Sequence, residues 1–138
     1  MNKVEIVNLV GKRDKKVEKE LKKVALKTIQ FLGGKNISVE IFLAKSQLMK
    51  FLNKKFCGKN KTADVLSFEE PKDFISPKSK NKNIGEIYLN SKFSILNSRY
   101  LLIHGLLHLF GYDHQKKNDI IKMELAEQRL LKILSTKL

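Results

Sequence analysis

The apolar residues of this chain switch several times between two spacings, and this switching restricts the possible folds more than any other feature. In four short runs, apolar residues either follow one another closely or alternate with polar residues, and both patterns are typical of β-strands. Other segments carry apolar residues three and four positions apart, which is the repeat of an amphipathic helix. Because 138 residues leave room for one hydrophobic core, we expect a single domain over residues 1–138, with helices packed on a sheet. The predicted strands span residues 4–10, 37–43, 65–68 and 85–89.

The sequence predicts four helical segments and one long loop. The third helical segment contains Asn97 and Ser98, polar residues at which we expect it to break into two pieces. The second is expected to be capped by Ser46 and to turn its apolar side chains inward. Residues 69–83 contain both prolines and are predicted to form a loop. The predicted helices span residues 14–32, 46–56, 91–110 and 120–134, and the inward side chains of the second are Leu48, Phe51, Leu52 and Phe56.

The charge and cysteine content favour some functional classes and exclude others. A formal net charge of +14 attracts polyanions, so nucleic acid is the leading partner class and an acidic membrane surface a distant second. Cys57 is the only cysteine, which excludes intrachain disulfides and cysteine-cluster metal sites. No run approaches the roughly 20 apolar residues of a membrane-spanning helix, and the N-terminus lacks the pattern of a signal peptide. We therefore expect a cytoplasmic protein without a membrane anchor.

The three histidines of the chain lie within eleven residues, at His104, His108 and His114. The first two are four positions apart on a predicted helix, so their imidazoles project from one face. Gly111 can end this helix and let the chain turn back, which allows His114 to reach the same ion. Three neutral nitrogens without cysteine favour one Zn²⁺ per chain, with a fourth position open to water, although Ni²⁺, Co²⁺ or Fe²⁺ could occupy the same ligands.

The same histidine spacing occurs in the zinc-binding segment of metzincin proteases, His-Glu-x-x-His-x-x-Gly-x-x-His. The general-base glutamate of that segment is replaced here by Gly105. Without this carboxylate, the usual route for activating water against a peptide bond is missing. A zinc protease is therefore the weakest of the hypotheses that the motif allows.

The longer string His-Gly-Leu-Leu-His-Leu-Phe-Gly-Tyr-Asp-His at residues 104–114 closely resembles the signature of the YbeY family of bacterial endoribonucleases. Asp-Val-Leu-Ser-Phe at residues 64–68 looks like a second segment of that family. Gly-Glu-Ile at residues 85–87 stands where the family often has Gly-Asp-Ile. The matches lie in the correct order over roughly residues 37–130.

The resemblance implies an α+β fold with a mixed sheet of about four strands and about five helices around it. It also implies that His104, His108 and His114 are the zinc ligands. The implied activity is that of a single-strand-specific endoribonuclease in rRNA processing, notably at the 3′ end of 16S rRNA, and in ribosome quality control. The implied partners are RNA, chiefly rRNA, the small ribosomal subunit and ribosome-associated proteins.

The sequence departs from the family pattern at two positions. Cys57 stands where the family usually has an arginine, and Ala63 where it has a threonine. Loss of the arginine removes a planar, bidentate phosphate ligand, and we expect Cys57 to be a buried apolar residue instead. These changes bear on catalytic strength more than on family membership.

Two carboxylates are candidates for the general base, Asp113 beside a ligand histidine and Glu86 on the fourth strand. We favour a supporting role for Asp113, because ligand histidines commonly donate their second N–H to a carboxylate. Attack by water and attack by the RNA 2′-OH both remain open, and they predict different product ends.

Residues 45–61 contain six lysines and no acidic residue, directly before the strand that the resemblance places near the metal. Such a stretch is often only a solvated charged surface. Its position here favours contact with the RNA backbone. The predicted RNA-binding residues are Lys54, Lys55, Lys59 and Lys61.

Three classes of function stay open at this point. The first is a metal-dependent endoribonuclease. The second is a non-catalytic ribosome- or rRNA-binding factor in which the zinc site serves folding, and the third is the zinc protease. Metal removal separates the first two, because a structural site should unfold the domain while a catalytic site should leave it folded.

Overall fold

The computed structural model describes residues 1–12, 14–70, 81–92, 94–112 and 117–136, and within them it contains four strands and four helices. The predicted α+β class with a four-stranded mixed sheet is confirmed, with one helix fewer in these residues than expected. None of the helices in these ranges is long and apolar enough to cross a membrane. The elements are β1 (Lys3–Asn8), α1 (Lys15–Phe31), β2 (Ile37–Ala44), α2 (Ser46–Cys57), β3 (Val65–Glu69), β4 (Lys82–Asn90), α3 (Ile95–Leu109) and α4 (Lys117–Thr136).

The strand order of the sheet is β1-β2-β4-β3. β1, β2 and β4 run parallel to one another, whereas β3 pairs antiparallel with β4 and forms one edge. Side chains alternate between the two faces along each strand. The first face packs against α1 and α3, on which α4 packs in turn, and it holds most of the core, including Val39, Ile41, Ile87 and Leu89. The second face packs against α2 through a smaller cluster around Met49.

The first helix shows why these elements form where they do. The carboxylate of Asp14 accepts hydrogen bonds from the N–H groups of Lys16 and Val17, which caps the free donors of the first turn. Apolar side chains then recur on one stripe and become fully buried against the sheet. The buried apolar residues of α1 are Leu21, Val24, Ala25 and Ile29.

Leu48 and Leu52 of α2 pack against the cluster on the second face as predicted, but the prediction for this helix is wrong at Ser46, Phe51 and Phe56. Ser46 is its first helical residue rather than its cap, and the Ser46 hydroxyl hydrogen-bonds the side chain of Asn90. Phe51 and Phe56 are exposed, with 57% and 61% of their surface accessible. The helix instead buries Met49 and Asn53. Phe51, two positions from each of them, lies on the opposite side of the helix, and Phe56 lies in the last turn, one turn beyond Asn53.

The predicted break in the third helix is also wrong. The side chain of Ser94 accepts a hydrogen bond from the N–H of Asn97, and the N–H of Ser98 bonds the Ser94 carbonyl. Asn97 and Ser98 therefore lie in a capped first turn, where polar residues are well tolerated. The predicted 69–83 loop is wrong at its two ends, since β3 continues to Glu69 and β4 begins at Lys82, and residues 71–80 lie outside the described residues.

Candidate metal and active site

The helix α3 lies unusually close to the sheet where it carries the histidines. A Cβ atom at Gly105 would lie 3.0 Å from Oγ of Ser67 and 3.1 Å from Cγ2 of Ile87. The Ser67 hydroxyl also donates a hydrogen bond of 3.1 Å to the Gly105 carbonyl. The position that holds a glutamate in the metzincin segment is thus used here to bring the helix onto β3 and β4.

His104 and His108 project from one face of α3 and converge. Their Nε2 atoms are 3.2 Å apart, and the two rings meet edge to face with centroids 4.8 Å apart. Two Zn–N bonds of about 2.0–2.1 Å at a tetrahedral angle would place the nitrogens at about this separation. The pair therefore fits two ligands of one metal ion.

Glu127 holds His104 from the other side, and sequence reasoning missed it. Its Oε1 lies 2.7 Å from Nδ1 of His104, and the residue is 5% exposed although it comes from α4. The ionised carboxylate can only accept, so Nδ1 is the nitrogen that carries the proton in a neutral imidazole. This tautomer presents the Nε2 lone pair of His104 to a metal.

The third predicted ligand, His114, lies outside the described residues, as does Asp113. Within the ranges that the structure describes, no group of three His, Cys, Asp or Glu side chains could hold a metal ion. The ligand set of three histidines therefore stays a prediction, of which two members are brought together.

A cavity of about 460 Å³ opens beside the two histidines. It lies between α3 and the edge strand β3, and the chain after α3 closes one side. Tyr112 lines this side, and its backbone N–H donates a hydrogen bond to the Leu107 carbonyl. The polar or ionisable side chains of the wall are Ser67, Glu69, His104, His108 and Tyr112.

Among the residues that the structure describes, Glu69 is the acidic side chain of this cavity wall, and it was not among the predicted site residues. It lies two positions after Ser67 on β3, so both side chains are on the face that meets α3. Opposite Glu69 in the sheet is Gly85, whose φ of 141° and missing side chain let β3 and Leu109 approach. Because side chains two positions apart share a face of a strand, Ser67 and Glu69 could have been predicted to lie together. Glu69 was instead assigned to the start of the predicted loop.

Glu86 lies on the opposite face of the sheet from the histidines. Its neighbour Ile87 contacts the region of Gly105, so Glu86 points to the second face, where the Tyr88 hydroxyl donates to it at 3.3 Å. There it forms a row with Glu5 and Glu40 across three paired strands. The structure does not bring Glu86 to the cavity, and the predicted base at this position lacks the required proximity.

The match to known families follows this geometry. The model of the family Endoribonuclease YbeY matches residues 6–135. The chain belongs to the YbeY endoribonuclease family. The family suggested by the histidine string is thereby confirmed, over nearly the whole chain.

Individual relatives agree with this assignment. An Endoribonuclease YbeY from Pelagibacter ubique is 38% identical over 137 residues, which cover 91% of this chain and 88% of the relative. One from Buchnera aphidicola subsp. Baizongia pistaciae is 34% identical over 114 residues, covering 74% and 71%. A solution structure of a Thermotoga maritima protein shares the fold with a TM-score of 0.57 at 21% identity, covering 97% of this chain and 93% of that one.

The lysines predicted to bind RNA lie on the far side of the YbeY sheet from the histidines. Lys54 and Lys55 are on α2, which packs against the second face, and Lys59 and Lys61 follow it. All four are exposed. The buried side chain of Asn53 donates to the Lys61 carbonyl at 2.9 Å and so fixes the segment after α2. The edge strand β3 separates these lysines from the cavity.

The expectation that Cys57 is buried is wrong. Cys57 ends α2 as a free, exposed thiol, directly before Gly58, whose φ of 70° terminates the helix. The position associated with arginine in YbeY proteins is thus exposed here but carries no charge. Ala63 is partly buried, and its carbonyl accepts a 3.4 Å hydrogen bond from Asn90.

Proposed function

We propose that this chain is a zinc-dependent, single-strand-specific endoribonuclease of rRNA processing, acting at the 3′ end of 16S rRNA and in ribosome quality control. Membership of the endoribonuclease family supports the reaction class. The observation that carries the metal dependence is the 3.2 Å approach of the His104 and His108 Nε2 atoms beside a cavity. The proposed ligands are His104, His108 and His114.

The residues around that cavity have different proposed roles. When bound, Zn²⁺ supplies Lewis-acid polarisation of water or of a phosphoryl oxygen near neutral pH. Glu127 keeps the proton on Nδ1 of His104 and holds the ring in orientation. Ser67 ties α3 to β3 by its bond to the Gly105 carbonyl, which keeps the histidines opposite Glu69.

Glu69 is the proposed proton acceptor. It is exposed and lines the cavity with both histidines, so an attacking water or an RNA 2′-OH in that space can transfer its proton to the carboxylate. The leaving 5′-oxygen takes up a proton from solvent in either route. Water attack leaves no cyclic phosphate, whereas 2′-OH attack leaves a 2′,3′-cyclic phosphate, so product analysis assigns the nucleophile.

The charge of the chain supports rRNA and the small ribosomal subunit as partners, with ribosome-associated proteins as further ones. A net charge of +14 releases many counterions when the protein binds a polyphosphate backbone. Lys54, Lys55, Lys59 and Lys61 are the proposed contacts of the backbone. Their replacement by alanine should flatten the salt dependence of RNA affinity.

The test combines metal analysis with RNA cleavage. The purified protein should contain about one zinc per chain and cleave a single-stranded RNA and a 16S rRNA precursor, but not a duplex of the same sequence. His108→Ala should lose both zinc and cleavage. Glu124→Gln, an exposed change on α4, is the control and should keep both. Cleavage by a zinc-free protein would refute the metal dependence.

The same preparation tests the two alternatives. Zinc and rRNA binding without cleavage, together with unfolding by a chelator, would favour the non-catalytic binding factor. Hydrolysis of peptides would favour the zinc protease. We expect chelation to leave a folded, inactive protein, because the main core packs between the sheet, α1, α3 and α4 and contains neither histidine.

A further inference from the structure

Two phenylalanine rings stand exposed on α2 with a lysine between them. Phe51 and Phe56 expose 57% and 61% of their surface, although aromatic side chains usually bury most of theirs. The Nζ atom of Lys55 lies 5.6 Å from the centroid of the Phe51 ring and 5.5 Å from that of Phe56. Both distances are those of a cation–π contact. The three side chains therefore form one surface, which we call the α2 platform.

The α2 platform is anchored to the edge of the sheet. The Phe56 ring meets the Phe68 ring of β3 edge to face, with centroids 5.5 Å apart. Phe68 in turn contacts Tyr88 of β4 at 5.7 Å. Phe56 is thus held by ring contacts on one side while its other side faces solvent, which keeps a flat apolar surface available without collapse into the core.

The lysines of α2 and of the segment after it select the kind of partner, although Glu5, Glu40 and Glu86 form a row on the same face of the sheet. Residues 45–61 hold six lysines, and no Asp or Glu occurs before Asp64 in this part of the sequence. Flat rings interleaved with lysines fit a polyanion that also exposes π-faces, which is a single-stranded nucleic acid. A duplex hides its base faces in the stack, and an acidic protein segment offers few rings to stack on Phe51 and Phe56.

We propose that the α2 platform stacks unpaired bases of the RNA substrate, with Phe51 and Phe56 as the stacking side chains. Lys55 orients the two rings and, with Lys54, contacts the neighbouring phosphates. The inference rests on the proposed function, because it takes the cleaved RNA as the occupant. It adds a base-binding surface to a site otherwise described by its metal and its charges.

This placement also defines the path of the RNA. The α2 platform is on the second face of the sheet, and the histidine cavity is on the first. Between them lies β3, which is an edge strand of the sheet that the described residues form. A strand that reaches both must cross this edge, so the platform contacts only nucleotides on one side of the cleaved bond. Unpaired RNA can bend across the edge, while a duplex is too stiff, which accounts for single-strand preference.

The experiment measures binding of the intact protein to a short single-stranded RNA that carries 2-aminopurine, and gel analysis of the same samples checks that the RNA stays uncleaved during the measurement. Stacking on phenylalanine should change the fluorescence of the base analogue. Phe51→Ala with Phe56→Ala should reduce affinity at least tenfold and abolish the fluorescence change, because the two stacking surfaces are removed together. The salt dependence should stay as in the wild type, because no charge is removed.

Matched variants keep the result interpretable. Phe31→Ala removes another exposed ring, 42% accessible on α1, and should leave affinity unchanged. Phe51→Trp with Phe56→Trp should restore stacking, whereas Lys54→Ala with Lys55→Ala should flatten the salt dependence. If loss of the Phe56–Phe68 contact unfolds the double variant, Phe51→Ala alone is measured instead, because it removes one stacking ring and keeps that contact.

The outcomes separate this inference from the proposed function. Affinity within twofold of wild type in the double variant, or equal loss in Phe31→Ala, would overturn the α2 platform. Loss of a dimer in sedimentation, with RNA affinity unchanged, would assign Phe51 and Phe56 to a protein interface and overturn it as well. A wild type that stacks the RNA but never cuts it would instead overturn the proposed function and leave the platform standing.

Discussion

The carboxylate of Glu127 lies 2.7 Å from Nδ1 of His104, although the two residues are 23 positions apart and belong to different helices. Tyr100, one turn before His104, also bonds Glu127, and burial followed by that hydrogen bond raises the pKa of the Tyr100 phenol. Glu127 is therefore a shared acceptor that connects the start of the histidine face to α4.

Replacement of Glu127 by glutamine should weaken zinc binding by roughly 10- to 100-fold, because outer partners of ligand histidines contribute about this much. The amide oxygen of the glutamine can still accept the N–H of His104 but lacks the negative charge that strengthens the bond. A competition titration with a zinc chelator measures the affinity. Glu124→Gln on the same helix should bind zinc as the wild type does, and an equal loss in that control would contradict the role of Glu127.

Glu69→Gln should slow RNA cleavage by about 100-fold or more while RNA affinity stays within about twofold, as expected when a general base is removed. Single-turnover cleavage and filter binding measure the two quantities separately. Glu70→Gln removes the same charge one residue further along, where the backbone N–H bonds Ile84, and should cleave normally. If both variants lose activity equally, the effect is one of surface charge.

Gly85→Ala should destabilise the fold by roughly 2–5 kcal/mol. A Cβ there would lie 2.2 Å from the Phe68 carbonyl oxygen, and the φ of 141° is itself unfavourable for alanine. Gly58→Ala is the control, because Gly58 also has a positive φ but nothing within 4 Å, so only about 1–2 kcal/mol should be lost. Urea unfolding measures both, and equal losses would show that space at Gly85 is irrelevant.

Glu40→Gln should stabilise the protein at pH 7, by roughly 0.2–1 kcal/mol for relief of like-charge pairs. Burial, and then the charges of Glu86, Glu5 and Glu70, raise the pKa of the Glu40 carboxyl above 4.5. Wild-type Glu40 therefore penalises the folded state while it is ionised, and the penalty disappears as pH falls below about 4.5. Unfolding at several pH values tests this, with Glu124→Gln as control; a pH-independent gain would contradict it.

Local patterns predicted much of the fold, and the errors have a common origin. The strands and helices were expected near their observed positions, and His104 and His108 share a face because a four-residue step is one helical turn. Phe51 and Phe56 were expected inside because apolar residues usually are. Phe51 lies on the side of α2 opposite the buried Met49 and Asn53, and Phe56 lies in the last turn of the helix, where it stays 61% exposed.

The sequence alone did not predict which of two glutamates, Glu86 or Glu69, faces the histidines. Both stand on strands with alternating side chains, and either could face the histidines. Strand order decided the matter, because β3 pairs with β4 in a register that sets Ser67 and Ile87 on one face and Glu86 on the other. No local repeat contains that register.

The sequence by itself determined the family, the order of the elements and the pairing of His104 with His108, since each depends on residues close together in the chain. Only the tertiary structure decided that Glu127 orients His104, that Glu69 enters the cavity, and that α2 lies on the opposite face from the histidines. The physical reason is that periodicity shows which residues share a face of one element. Which faces then meet depends on strand order and on packing between distant segments.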